Sequence, residues 1–231
     1  MLFSRLFTVT CASVLTAMLA FTAEPGRAGD GMDGTDHSQH VMPAAGDDPH
    51  AAHRHMMANN DIRRSVVSYT IPTVELTRDD GRRVTLQHEL DDGRPVVLNF
   101  IYTTCTTICP LTSQVFGVIQ SRLGANAAKV HLVSISIDPE QDTPARLREY
   151  ASRFHAGAAW QHYTGTVTAS ATAQQAFGVY RGDKMSHLPV TLVRTAPGAS
   201  WVRLDGFATA ADVLAELGTH AGAMQASGQA H

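Results

Sequence analysis

The chain has 231 residues, of which 44% are hydrophobic, and its formal net charge is −3 at pH 7. This length and apolar content suffice for one domain of ordinary size with its own core and additional terminal segments. A surface that binds nucleic acid would need a strong excess of basic residues. The slightly acidic balance therefore excludes nucleic-acid binding.

Residues 1–28 have the pattern of a secretory signal peptide. An apolar stretch from Leu6 to Thr22 follows a basic residue, and Gly26 and Ala28 provide small side chains before a cleavage point. The alternative is an uncleaved anchor in the inner membrane, since about 20 apolar residues can cross a bilayer. In either case, we expect the main domain to be periplasmic or otherwise extracytoplasmic, with membrane contact only through this segment.

Residues 29–65 show no hydrophobic periodicity, and we expect a disordered linker. Imidazole binds copper in either oxidation state, and thioether binds Cu(I). The linker could therefore collect copper or could simply be solvated, and its composition leaves both interpretations open. It is rich in histidine and methionine, namely His37, His40, His50, His53, His55, Met32, Met42, Met56 and Met57.

Strands alternate with helices from residue 66 to 220, which predicts an α/β domain with a mixed sheet, followed by a flexible tail at 221–231. The domain begins with a hairpin, whose strands at 71–76 and 83–86 flank a turn. The later predicted elements are a strand at 96–102, a helix at 109–123, a strand at 130–137, helices at 144–154 and 169–177, strands at 190–193 and 201–204, and a closing helix from about 209.

Cys105 and Cys109 lie where the buried strand at 96–102 gives way to a helix. The third cysteine, Cys11, is inside the leader, so the mature protein has only this pair. Two cysteines so close in sequence cannot connect distant parts of a fold, and a structural disulfide is a weak explanation for them. In an exported protein, an isolated close pair favours metal or redox chemistry.

The order of elements, with Pro189 before a late strand, resembles the thioredoxin fold, in which a proline, usually cis, faces the cysteines. The closer resemblance is to the SCO/SenC family of thioredoxin-like copper-binding proteins, which act in cytochrome c oxidase assembly. It covers the chain from about Ser68 to the final helix. The matching residues are Tyr102-Thr103-Thr104-Cys105, Cys109-Pro110, Asp138-Pro139-Glu140-Gln141-Asp142-Thr143-Pro144, Phe177-Gly178-Val179-Tyr180 and His187.

This resemblance implies a thioredoxin-like fold, with a central mixed sheet flanked by helices and an N-terminal β-hairpin extension. The chain departs from the usual family pattern at Thr106, where proline is common after the first cysteine. It also departs at Ser186 and Leu188, where an acidic residue usually precedes the histidine and a hydroxyl residue follows it.

Two thiolates and one imidazole make a compact three-coordinate site suited to Cu(I), with Cu(II) as a second option. We therefore hypothesise that Cys105, Cys109 and His187 are the copper ligands. The helix N-terminus is expected to lower the pKa of Cys109. Asp138 could accept a proton near a thiol, but it is predicted to fix the turn together with Asp142. Met185 is predicted to fill the core rather than to bind metal.

Two functions follow from these residues. The first, which the resemblance implies, is a metallochaperone and not an enzyme; its partner is the copper-bearing subunit of cytochrome c oxidase or another copper chaperone. The alternative is a thiol–disulfide oxidoreductase, with Cys105 and Cys109 as the redox pair and a thioredoxin-like protein as reductant. The two are not exclusive, because a pair that binds Cu(I) must be reduced and can then exchange disulfides.

Overall fold

The computed structural model describes residues 62–227 of the chain. The predicted signal peptide at residues 1–28, the histidine- and methionine-rich linker up to residue 61, and the last residues of the predicted tail, 228–231, lie outside the described residues.

The described strands form one mixed sheet in the order β1-β8-β7-β4-β5-β6-β2-β3. The central strands β4, β5 and β6 are parallel, and every other neighbouring pair is antiparallel. The strands are β1 (Arg63–Val67), β2 (Glu75–Arg78), β3 (Arg83–Thr85), β4 (Val96–Ile101), β5 (His131–Ser136), β6 (Trp160–Gly165), β7 (Val190–Arg194) and β8 (Trp201–Asp205).

Helices cover both faces of this sheet. At the start of α3, the Thr143 hydroxyl accepts a hydrogen bond from Arg146 N at 3.3 Å and Pro144 follows, which confirms the predicted cap. The helices are α1 (Leu86–Leu90), α2 (Ile108–Leu123), α3 (Pro144–Arg153), α4 (Val167–Ala176) and α5 (Ala210–Ser227), with short 3₁₀ helices at Gly124–Lys129 and Lys184–Ser186.

Strand β4 is buried along its whole length, as its continuous apolar run predicts. Because side chains alternate along a strand, Leu98 and Phe100 pack with Phe177 on one face, whereas Val97 packs with Phe116 of α2 on the other. The end of β4 is therefore held rigidly from both sides, directly before the cysteines.

The predicted thioredoxin-like architecture and the N-terminal hairpin are confirmed, with β2 and β3 at one edge of the sheet. Strands β1 and β6 and the short helix α1 were not predicted. β6 carries the buried polar residues His162 and Thr164, so it lacks an apolar alternation. Strand β1 begins at Arg63, before the predicted first residue 66, and α5 continues to Ser227, past 220.

Candidate functional site

The cysteine pair lies in the turn between β4 and α2 and in its first helical residues. Cys109 is fully buried and Cys105 is 7% exposed. The backbone N–H of Cys109 donates to Cys105 Sγ at 3.4 Å, and both residues are free thiols. They pack against Ile101 and Tyr150, so the sulfurs lie at the edge of an apolar cluster.

The pKa values of the two thiols are shifted in opposite directions. The Cys109 thiol donates a hydrogen bond to the Cys105 sulfur, and this is the largest cause of the lowered pKa of Cys105, about 4. The backbone N–H groups of Cys109 and Thr107 and the Tyr102 hydroxyl lower this pKa further, whereas burial opposes the shift. The same hydrogen bond between the thiols, reinforced by burial, raises the pKa of Cys109. The prediction that Cys109 would carry the lowered pKa is therefore wrong, because burial and its donor role outweigh the helix N-terminus.

Asp142 fixes the turn that holds the cysteines. Its buried carboxylate accepts hydrogen bonds from Thr103 N at 3.2 Å, Thr103 Oγ1 at 2.5 Å and Ser136 Oγ at 2.6 Å. Burial raises the pKa of Asp142 even though these donors favour its charged form. The carboxylate thus joins the end of β5 to the residues just before Cys105, which agrees with the structural role predicted for it.

We expect Asp142→Ala to destabilise the reduced protein by about 2–4 kcal/mol, because three donors lose a buried partner. The free energy of unfolding in urea measures this effect. Glu140→Ala, an exposed change in the same loop, is the control and should stay within about 0.5 kcal/mol of wild type. An Asp142→Ala protein as stable as this control would contradict the proposed role.

His187 follows the 3₁₀ helix at Lys184–Ser186, and its side chain is buried. Its Nε2 lies 3.0 Å from the carbonyl oxygen of Phe100, which can only accept, so Nε2 carries the proton and Nδ1 keeps a free lone pair. Burial lowers the pKa of His187. The ring is therefore neutral near pH 7, the form in which imidazole binds metals.

The structure does not assemble the three predicted ligands into a preformed site. Among the side chains that the structure describes, at residues 62–218, no three histidine, cysteine, aspartate or glutamate residues lie close enough together to hold a metal ion. Cys105 and Cys109 are in contact, whereas His187 is near enough for the Cys105 charge to influence its pKa but remains hydrogen-bonded to Phe100. His187 also lines a cavity of about 410 Å³.

Nothing in the sequence indicated a role for the Tyr102 side chain, and the position predicted for Met185 is wrong. The Tyr102 hydroxyl hydrogen-bonds the Cys105 thiolate and lies 3.7 Å from Met185 Sδ. Met185 is 73% exposed, so the prediction that it fills the core is wrong: it lies on the outer side of the 3₁₀ turn. Sequence could not show this, because no periodicity marks which face of so short a turn is buried.

A salt bridge connects the loop that carries His187 to the loop that follows β5. Lys184 Nζ lies 2.6 Å from Asp138 Oδ2, in the loop that follows β5. The same loop continues to Asp142, which holds the cysteine turn. The loops that carry the cysteines and His187 are thus both attached to the segment after β5.

None of the helices within the described part of the chain combines the length and the apolar content needed to cross a membrane.

Comparison with known proteins places this arrangement in a family. A family model described as SCO1/SenC matches residues 67–196. The SCO1 protein homolog of Bacillus subtilis is 32% identical over 88 residues, which are 38% of this chain and 45% of that protein. The chain thus spans less than half of this curated relative.

Two solved structures extend the comparison. The copper-bound ScoI of Bradyrhizobium japonicum is 27% identical with a TM-score of 0.53, covering 62% of this chain and 94% of that one. The copper-bound ScoI of Arabidopsis thaliana is 26% identical with a TM-score of 0.53, covering 68% and 99%. Since the family model spans more than half of the residues, the chain belongs to the SCO1/SenC family.

Proposed function

We propose that the protein is an extracytoplasmic copper metallochaperone that carries Cu(I) on Cys105, Cys109 and His187. The observation that carries this proposal is the pair of free thiols in contact at the end of β4, near a histidine whose Nδ1 is free to bind. The copper bound in the two ScoI structures supports the same cargo. The recipient is the copper-bearing subunit of a respiratory oxidase or another copper chaperone.

The electrostatics of the pair suit the loading of a soft cation. Thiolates select Cu(I), and the lowered pKa of Cys105 provides one thiolate at neutral pH. Cys109 holds its proton until the metal displaces it, so binding releases a proton. His187 has one side-chain hydrogen bond to give up, the one to Phe100, and the cavity beside it offers room for the ring to turn.

A second function is favoured by the opposite pKa shifts of the two thiols. The Cys105 thiolate attacks one sulfur of a partner disulfide, forming a mixed disulfide and releasing the other partner sulfur as thiolate. Cys109 then loses its proton and attacks Cys105 Sγ, which leaves a Cys105–Cys109 disulfide and a fully reduced partner. A thioredoxin-like reductant restores the pair. This exchange can prepare the cysteines of a copper acceptor.

Metal analysis of the protein isolated from its native compartment, combined with the reduction potential of the cysteine pair, tests the proposal. We expect about one copper per reduced protein and a low potential, so that a thioredoxin-like reductant rather than the ambient thiol pool keeps the pair in the dithiol form that binds Cu(I). Protein without copper that rapidly reduces a disulfide substrate would contradict the chaperone function and favour the oxidoreductase.

A further inference from the structure

The thioether of Met185 lies on the solvent side of the cysteine pair. Its Sδ is 3.7 Å from the Tyr102 hydroxyl, which also hydrogen-bonds the Cys105 sulfur. A phenolic O–H has one proton and can donate to only one of the two sulfurs at a time. The thioether and the thiolate therefore share one hydroxyl on the same side of the turn.

The backbone of Met185 is fixed, whereas its side chain is free to move. The Asp183 carboxylate accepts a hydrogen bond from Met185 N at 2.9 Å and caps the 3₁₀ turn, and the salt bridge from Lys184 to Asp138 anchors the same turn. The side chain itself is 73% exposed, unbranched, and has three rotatable bonds. Side-chain rotation can therefore move the sulfur away from the Tyr102 hydroxyl with no change in the backbone.

Met185 and His187 occupy opposite sides of this turn. His187 points into the protein, with Nε2 bonded to the Phe100 carbonyl at 3.0 Å, while Met185 points outward beside Tyr102. In this conformation, none of the histidines that the structure describes completes a three-residue metal site with the two thiols. A soft thioether donor is nevertheless already at the site.

We propose that Met185 is an additional ligand for Cu(I): it provides the third donor while His187 is hydrogen-bonded to Phe100, and it stays bound when His187 turns to complete the site. This inference rests on the proposed copper-carrying function. Thioether sulfur selects Cu(I), whereas imidazole serves both oxidation states. The exposed thioether is thus the group that meets incoming Cu(I), and it contributes to the affinity for Cu(I) but not to that for Cu(II).

The test compares Met185→Leu with wild type in the full-length, reduced protein. Leucine keeps the size and apolar character of methionine but removes the sulfur. In competition with a chromophoric Cu(I) chelator, we expect Met185→Leu to bind Cu(I) roughly tenfold more weakly, while its Cu(II) affinity stays unchanged. Leu188→Ala, at a 49% exposed position of the same loop, is the matched control and should leave both affinities unchanged.

Selenomethionine-labelled protein identifies the ligand directly. X-ray absorption at the copper edge should show a Cu–Se distance in labelled wild type that disappears in labelled Met185→Leu. A Cu–Se signal as strong in the variant as in wild type, or a Cu(I) affinity equal to that of wild type, overturns the assignment. If Met185→Leu binds Cu(I) as tightly as wild type while Cys105→Ser no longer binds Cu(I), only the Met185 assignment fails. If wild type itself binds no Cu(I), the proposed function fails with it.

Discussion

Replacing Cys105 or Cys109 by serine should weaken Cu(I) binding by more than about a hundredfold. Loss of a residue that merely orients a ligand already costs about 10- to 100-fold in metal affinity, so loss of a ligand should cost more. Serine is also a poor substitute, because its hydroxyl is a hard donor and stays protonated at neutral pH. We expect this effect at both positions, although the pKa values of the two thiols differ.

Competition with a Cu(I) chelator under anaerobic, reducing conditions measures the effect. Thr106→Ser is the control, since it changes an exposed side chain in the same turn and leaves both thiols in place. Urea unfolding of each variant separates a lost ligand from a lost fold. A folded Cys105→Ser protein that binds Cu(I) within about threefold of wild type would rule out Cys105 as a ligand.

The second large effect concerns the pH dependence of alkylation. An ordinary thiol with a pKa near 8.5 reacts about ten times faster for each pH unit between 6 and 8, because the thiolate is the nucleophile. Cys105, whose pKa is lowered to about 4, should react at a nearly constant rate over this range. Cys109, fully buried with a raised pKa, should stay unmodified. Mass spectrometry after brief iodoacetamide treatment of the reduced protein assigns each site.

Cys109→Ala provides the informative variant. It removes the thiol that is the largest cause of the lowered pKa but keeps the backbone N–H that also donates to Cys105. The alkylation midpoint of Cys105 should therefore move upward by at least about one pH unit. An unchanged midpoint would mean that the backbone N–H groups alone stabilise the thiolate.

The lowered pKa of Cys105 in the folded protein also makes the stability of the fold depend on pH. Because the pKa of Cys105 is lower in the folded than in the unfolded protein, the thiolate stabilises the fold fully above about pH 8.5, the pKa of an unfolded cysteine. This contribution is lost as the pH falls towards the folded value of about 4. The difference in unfolding free energy between reduced wild type and Cys105→Ala should therefore shrink from pH 8.5 to pH 5.

Much of the fold was predictable because its signals are local. The apolar run that forms β4 identified a buried strand, and Thr143 with Pro144 marked the start of α3. Where local signals are absent, prediction failed: β6 buries His162 and Thr164, and its place in the sheet depends on pairing with β5 and β2. Burial of these polar side chains is a property of their neighbours and leaves no mark in the sequence.

The residues and their spacing establish which chemical groups are available: a close cysteine pair at a strand-to-helix turn and a histidine before a late strand. The behaviour of these groups depends on the folded protein. Folding made Cys105 the thiolate and Cys109 the proton donor, turned His187 inward to Phe100, and left Met185 exposed beside Tyr102. The physical reason is that pKa, tautomer and exposure depend on burial and on hydrogen bonds, and these arise where segments distant in sequence meet.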